Sequence, residues 1–196
     1  MCRFVRRPRR GRGLVSPPRR GHRSPPAIRP AGFFMLINRR IETPVQPITL
    51  KPADGGDADS VRELVRAAYA KWIPVIGREP RPMTVDYRTA IAEHDVLLAH
   101  AGTTLAGIIE TMMRADHLWI ENIAVLPALQ GRGVGRLLLD AAEDRARRAG
   151  LPEMRLLTNA AFAENVAFYE RRGFRVTKEE PFMGGTTLYF ARHLDG

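Results

Sequence analysis

The chain has 196 residues and a formal net charge of +10, a length that suits one domain with a substantial core. The charge suggests a nucleic-acid partner until it is located: twelve arginines (Arg3, Arg6, Arg7, Arg9, Arg10, Arg12, Arg19, Arg20, Arg23, Arg29, Arg39, Arg40) precede position 48 against one acid, Glu42, leaving 19 basic and 20 acidic residues beyond it. The single cysteine, Cys2, excludes an internal disulfide, suits a reducing cytoplasm and argues against an acyl-cysteine intermediate, while scattered histidines without ligand spacing argue against a metal site.

Residues 1–47 form an Arg/Pro-rich tail with Pro-Pro pairs at 17–18 and 25–26. Proline at this density blocks helix and sheet, and few apolar groups offset the chain entropy, so the tail is predicted to be disordered. Three readings of it stay open: a translated upstream region with the true start near Met35, an arm for nucleic acid or a membrane surface, and a targeting peptide. Prolines and the lack of an apolar stretch oppose the last. No run in the chain approaches the ~20 apolar residues that span a bilayer, so a cytoplasmic protein is expected.

Beyond the tail, 48–51 reads as a strand. Asp57 can cap a helix over 58–70, with Val61, Leu64, Val65 and Ala68 on one face. The stretch 71–83 carries Pro74, Gly77, Pro80 and Pro82 and is predicted to be a loop; 84–93 then looks helical. Strands over 96–100 and 104–113 meet at Gly102, and 117–125 makes a fourth. A helix over 134–149 should bury Val134, Leu137, Leu138 and Ala141 and end at Gly150. A strand at 154–158, a helix at 165–172 and a hairpin-like pair at 175–178 and 187–191 complete the order.

Two segments carry chemistry. After Pro127 the chain reads Gln130-Gly131-Arg132-Gly133-Val134-Gly135-Arg136 and runs into the helix. A glycine turn that opens a helix presents N–H groups without intrahelical partners beside the positive end of the dipole, an arrangement that binds phosphate or pyrophosphate. The dinucleotide pattern G-x-G-x-x-G fails at Arg136, and no Lys follows to make a P-loop. In the second segment Asn165 and Tyr169 stand four apart, on one helix face. Gly173 suits a left-handed C-cap, and Phe174 starts the next strand.

In this order and at this spacing, the two segments resemble the signatures of the GNAT superfamily of acyl-CoA-dependent N-acetyltransferases, over about 48–194. The resemblance implies an α+β fold with a mixed, mostly antiparallel central sheet, helices on both faces and splayed strands 4 and 5, in a domain spanning 48–196. It implies acetyl-CoA as acyl donor, no metal, and a cradle of Gln130, Gly131, Arg132, Gly133, Val134, Gly135 and Arg136. The backbone of Ile123, Ala124 and Val125 would pair with the pantetheine arm, and Asn165 would bond that arm or hold its own helix. Tyr169 would protonate the departing sulfur. Glu121, a carboxylate inside an apolar strand where an idle charge is costly, would take the amine proton.

The loop 71–83, Tyr87 and the hairpin 181–187 would shape the acceptor pocket, with Trp72, Met83 and Tyr87 as an apolar wall and Arg78 and Arg81 able to meet a substrate carboxylate. The implied reaction is acetyl transfer to a primary amine of a small molecule or peptide by direct attack in a ternary complex, with homodimer formation left open. Two rivals stand beside it: an acyl-CoA-binding regulatory module without turnover, and an acetyltransferase acting on nucleic-acid-linked amines such as charged tRNA. Glu121 with Tyr169 argues against the first, and the near-neutral charge beyond the tail against the second.

Overall fold

A computed structural model describes residues 47–194; of the tail predicted to be disordered, 1–47, all but Pro47 lies outside them. The chain runs β1 (Ile48–Pro52), α1 (Ala58–Tyr69), α2 (Ile73–Ile76), α3 (Tyr87–Glu93), β2 (Asp95–Ala101), β3 (Thr104–Met113), β4 (Leu118–Val125), α4 (Val134–Arg148), β5 (Glu153–Asn159), α5 (Ala163–Arg171), β6 (Arg175–Phe182) and β7 (Gly185–His193). Seven strands form one sheet in the order β1-β2-β3-β4-β5-β7-β6. All pairs are antiparallel except β4 with β5.

Alternation along the strands feeds two cores, one on each sheet face. Ile108 joins Val61, Leu64 and Val65 of α1 and Tyr87 of α3, whereas Ile109 joins Val134, Leu138 and Leu139 of α4 and Tyr169 of α5. Leu138 and Leu139 are fully buried, each stabilising the fold by about 1.5–3 kcal/mol. The start of α4 approaches the sheet closely because β3 offers Gly107, where a Cβ would lie 2.8 Å from the Ala124 carbonyl and 3.1 Å from Leu138 and Val134.

Several local expectations need correction. The buried face of α4 is Val134, Leu138, Leu139, Ala142 and Ala146, not one through Leu137 and Ala141, because the stripe advances by four residues from the Gly133 cap. Asp57 does not cap α1: its carboxylate accepts from the Asp54 N–H at 3.0 Å, and Asp54 accepts from Gly56 at 2.8 Å, starting a 3-10 turn ahead of the helix.

The supposed loop 71–83 contains α2, with Pro74 in its first turn, where a missing N–H costs nothing. Helix α3 begins at Tyr87, not at 84, because Asp86 caps it by accepting from the Arg88 N–H at 3.0 Å. The last two strands extend to a two-residue turn, Met183-Gly184, with φ of 48° and 78°. Two positive φ values are the hairpin conformation that matches strand twist. Pro181 sits on β6, the edge strand, where a missing donor is tolerated.

The irregularity that matters for function lies in β4. Glu110 pairs with Asn122 and Thr111 with Ile120, so Glu121 is an extra residue, a β-bulge. It switches the strand's faces. Leu118 and Ile120 before it, and Ile123 and Val125 after it, all face α4, while Ala124 faces α1. The parallel β4–β5 ladder also stops there, covering only Leu118–Ile120 against Met154–Leu156. Beyond it β4 stays on β3 and β5 stays on β7, so the two strands part and a gap opens between their C-terminal halves.

Candidate active site

Two clefts meet in that gap. One, about 300 Å³, lies over the start of α4 and is lined by Ala124, Val125, Gln130, Gly131, Gly133, Gly135 and Arg136. The other, about 360 Å³, is lined by the 76–87 segment, Glu121, Asn122, the end of β5 and the β6–β7 hairpin. Tyr69, Ile123, Asn165 and Tyr169 line both. A molecule reaching from one cleft into the other would pass these four side chains.

The first cleft is built to take an anion. Gly131 and Gly133 have φ of 74° and 87°, and these positive values turn the chain so that no backbone acceptor meets the N–H groups from Gly131 through Arg136 among the described residues. Those donors stand at the positive end of α4, which is 15 residues long. The Gln130 side chain ties the turn back to β4, its Nε2 donating to the Val125 carbonyl at 3.0 Å. Lys71 also reaches it, donating from Nζ to Gln130 Oε1 at 3.3 Å while pairing with Glu164 of α5. Gly135 differs from its neighbours: a Cβ there would make ordinary 3.6 Å contacts with Phe168 and Val125, so packing alone does not require glycine. Of the other cradle residues named from sequence, Arg132 is exposed and Val134 turns its side chain into the core, leaving their N–H groups as what each presents.

Helix α5 ends in a Schellman motif, with Phe174 N–H to Tyr169 O at 3.1 Å and Gly173 N–H to Glu170 O at 3.0 Å. This locks Tyr169 against Phe174 and Phe190, with ring centroids 5.9 Å away in each case. The tyrosine is buried, yet its hydroxyl has no hydrogen-bond partner among the described residues and lies at the junction of the clefts. Burial, with Tyr69 adding to it, pushes its phenol well above the ordinary tyrosine range, so it stays protonated at neutral pH.

In the second cleft, Glu121 accepts from Trp119 Nε1 at 2.8 Å. Three residues that the sequence did not single out, Tyr69, Asn122 and Glu110, line the cleft with it, alongside the expected Tyr87. The Tyr69 hydroxyl donates to Asn122 Oδ1 at 2.8 Å, Asn122 Nδ2 donates to the Tyr87 hydroxyl at 3.0 Å, and Tyr87 donates to the Pro82 carbonyl at 2.9 Å. The chain of bonds ties α1, β4, α3 and the 80–82 segment together. Glu110, only 2% exposed, lines the cleft with its Oε1 2.5 Å from His94 Nδ1. Burial raises its pKa, and the His94 hydrogen bond opposes the rise. A Glu within an apolar strand was the one available signal, and it is no stronger at 110 than at 121.

The expected acceptor wall is partly displaced. Trp72 belongs to the first cleft, stacked on Phe162 at 4.6 Å, and Met83 is buried and lines neither. Tyr87, Arg78, Arg81, Phe182 and Thr187 do line the second cleft. Among the described residues, no cluster of His, Cys, Asp and Glu could hold a metal ion, and no helix is long and apolar enough to cross a membrane.

A family model described as the acetyltransferase (GNAT) family matches residues 59–174. The chain is 29% identical over 154 residues to the aminoalkylphosphonate N-acetyltransferase of Salmonella typhimurium, covering 72% of this chain and 94% of that one. Among solved structures, the PaiA N-acetyltransferase of Thermoplasma acidophilum in complex with coenzyme A superposes with a TM-score of 0.66 at 20% identity, over 76% of this chain and 99% of that one. YncA of Salmonella typhimurium, solved with acetyl-CoA, gives 0.60 at 23% identity over 76% and 95%.

Proposed function

Because this chain belongs to the GNAT family of acetyltransferases, we propose that it moves an acetyl group from acetyl-CoA to a primary amine of a small molecule or peptide, by direct attack with both substrates bound. The observation that carries the reading is the junction itself. An anion-binding turn and a separate cleft open onto one gap between β4 and β5, with Tyr169 and Asn165 at the meeting point.

Bound acetyl-CoA supplies an acetyl thioester, whose carbonyl carbon accepts the amine nitrogen and whose sulfur leaves. The chain's own residues do the rest. The free N–H groups of Gly131–Arg136 hold the pyrophosphate, and the edge of β4 at Ile123, Ala124 and Val125, which β5 leaves without a strand partner, pairs with the pantetheine arm, one N–H being available to the developing oxyanion. Asn165 orients that arm from α5.

A primary amine with a pKa near 10 is neutral only about one part in a thousand at pH 7, so the acceptor needs to lose a proton before it attacks. Glu121 takes that proton, directly or through a water. Tyr169, a phenol that is protonated at neutral pH, gives its proton to the departing thiolate. The cytoplasm is the proposed site of action, and residues 48–196 are the proposed catalytic domain. The test follows free thiol from acetyl-CoA against a panel of amines and peptides: release that depends on the amine is expected, and release at the hydrolytic background for every amine would sink the proposal.

A further inference from the structure

The acceptor cleft has walls of opposite sign. On the sheet side stand the carboxylates Glu110 and Glu121; on the side of the 76–87 segment stand the guanidinium groups of Arg78 and Arg81. Arg78 is the better held of the two cations. It follows Gly77, whose left-handed φ of 71° closes α2, and its guanidinium lies 5.6 Å from the centroid of the Phe182 ring, on the hairpin across the cleft mouth. Its Nε is buried without a hydrogen-bond partner, its only hydrogen bond is a long one of 3.4 Å to the adjacent Glu79 carbonyl, and among the described residues no carboxylate pairs with it. A buried guanidinium N–H left unpaired costs free energy, and a planar fork held against a ring is pre-organised to receive two oxygens. Beside it, Phe182 and Leu157 are 52% and 46% exposed although both line the cleft. Such apolar surface around a cation suits the carbon skeleton of a ligand whose anionic end the cation takes.

We propose that the acceptor is an amine that also carries an oxyanion, a carboxylate or phosphonate gripped by Arg78, with its ammonium end toward Glu110 and Glu121 and its carbon skeleton on Phe182 and Leu157. This rests on the acetyltransferase reading above and adds the substrate class to it. The bland alternative, in which Arg78 only clamps the hairpin through Phe182, predicts no preference for an anion.

The test uses the full chain with acetyl-CoA and matched acceptors: β-alanine, 5-aminovalerate and L-phenylalanine, each against its carboxamide, and 2-aminoethylphosphonate against ethanolamine. The anionic member of at least one pair should show a kcat/KM about 10- to 100-fold above its neutral partner, the worth of a charge-assisted bond, and the pair that does so distinguishes carboxylate from phosphonate. Arg78→Gln should bring that ratio close to one through KM, and Arg78→Lys, which keeps the charge without the fork, should retain part of it. Calorimetric binding of the same pairs to the CoA-saturated protein gives a readout that needs no turnover. If no amine turns over, the acetyltransferase reading fails, and the binding ratio still decides this one. Equal values for anionic and neutral partners in both assays, or a ratio unmoved by Arg78→Gln, would overturn it.

Discussion

Tyr169 and Glu121 are assigned opposite proton transfers, and their environments suit them to those roles. A buried phenol keeps its proton. Tyr169→Phe keeps the ring against Phe174 and Phe190, so turnover is expected to fall roughly 10²–10⁴-fold, the usual worth of general acid catalysis, with acetyl-CoA affinity within about twofold; equilibrium binding beside steady-state rates checks both. Glu121→Gln should lose less as pH rises, because more of the acceptor is already neutral, and a defect constant across a pH–rate profile would return the proton to water. Glu110 gives a stability prediction. Its folded pKa is raised, so over the interval above the ordinary value of about 4.3 the folded state binds more protons than the unfolded one. Its contribution is therefore fully present below that ordinary value and is lost as pH rises through the raised one. Glu110→Gln removes the buried charge and should raise the melting temperature at pH 8 by roughly 2–4 °C for each kcal/mol of burial cost, a gain that shrinks toward pH 4. Thermal melts at both pH values measure it.

At the scale of elements, the turn before α4 allows a test that separates binding from folding. Gly133 has a positive φ, so any side chain there strains the turn. Gly135 lies inside the first turn of α4 with room for a Cβ, and a carboxylate in that turn favours the helix through its dipole. Gly135→Asp should therefore fold with an unchanged or slightly higher melting temperature. Yet it should weaken CoA binding well over tenfold, by the repulsion of two like charges in a partly enclosed site, while a pantetheine lacking the nucleotide binds nearly as before. Equal losses for both ligands would mean that the turn itself had changed. Gly107 is the complementary case: it carries no ligand role, but a Cβ would meet the Ala124 carbonyl, so Gly107→Val should lift α4 from the sheet and lower stability and CoA affinity together.

At the scale of the molecule, the sheet is continuous except where it works. Each half of the gap is secured on its outer side, β4 by β3 and β5 by β7, so opening the middle forfeits only the β4–β5 ladder beyond Ile120. Both cores close within the described residues. Starting the chain at Met35 is accordingly expected to leave the melting temperature and acetyl-CoA affinity unchanged, measured by calorimetry on the two proteins side by side. A loss of folded protein would show that the Arg-rich segment contributes to the domain.

The order of strands and helices, the glycine turn and the Asn165–Tyr169 face are properties of neighbours in the chain. Periodicity, capping and left-handed glycines act over a few residues, so the sequence by itself determined them, and with them the family. Part of what it placed less well depended on partners far along the chain. Two misplacements were themselves local: Asp86 rather than an earlier residue caps α3, and the Met183-Gly184 turn lacks the usual Asn or Asp. How close α4 comes to the sheet was settled by Gly107. The acceptor cleft was least legible: Tyr69, Glu110 and Asn122, which join the expected Tyr87, come from separate elements and meet it only because the bulge at Glu121 reverses which residues of β4 face α1. A one-residue shift in register moves every later side chain to the other face of a sheet, and only the folded pairing of β3 with β4 decides where that shift occurs.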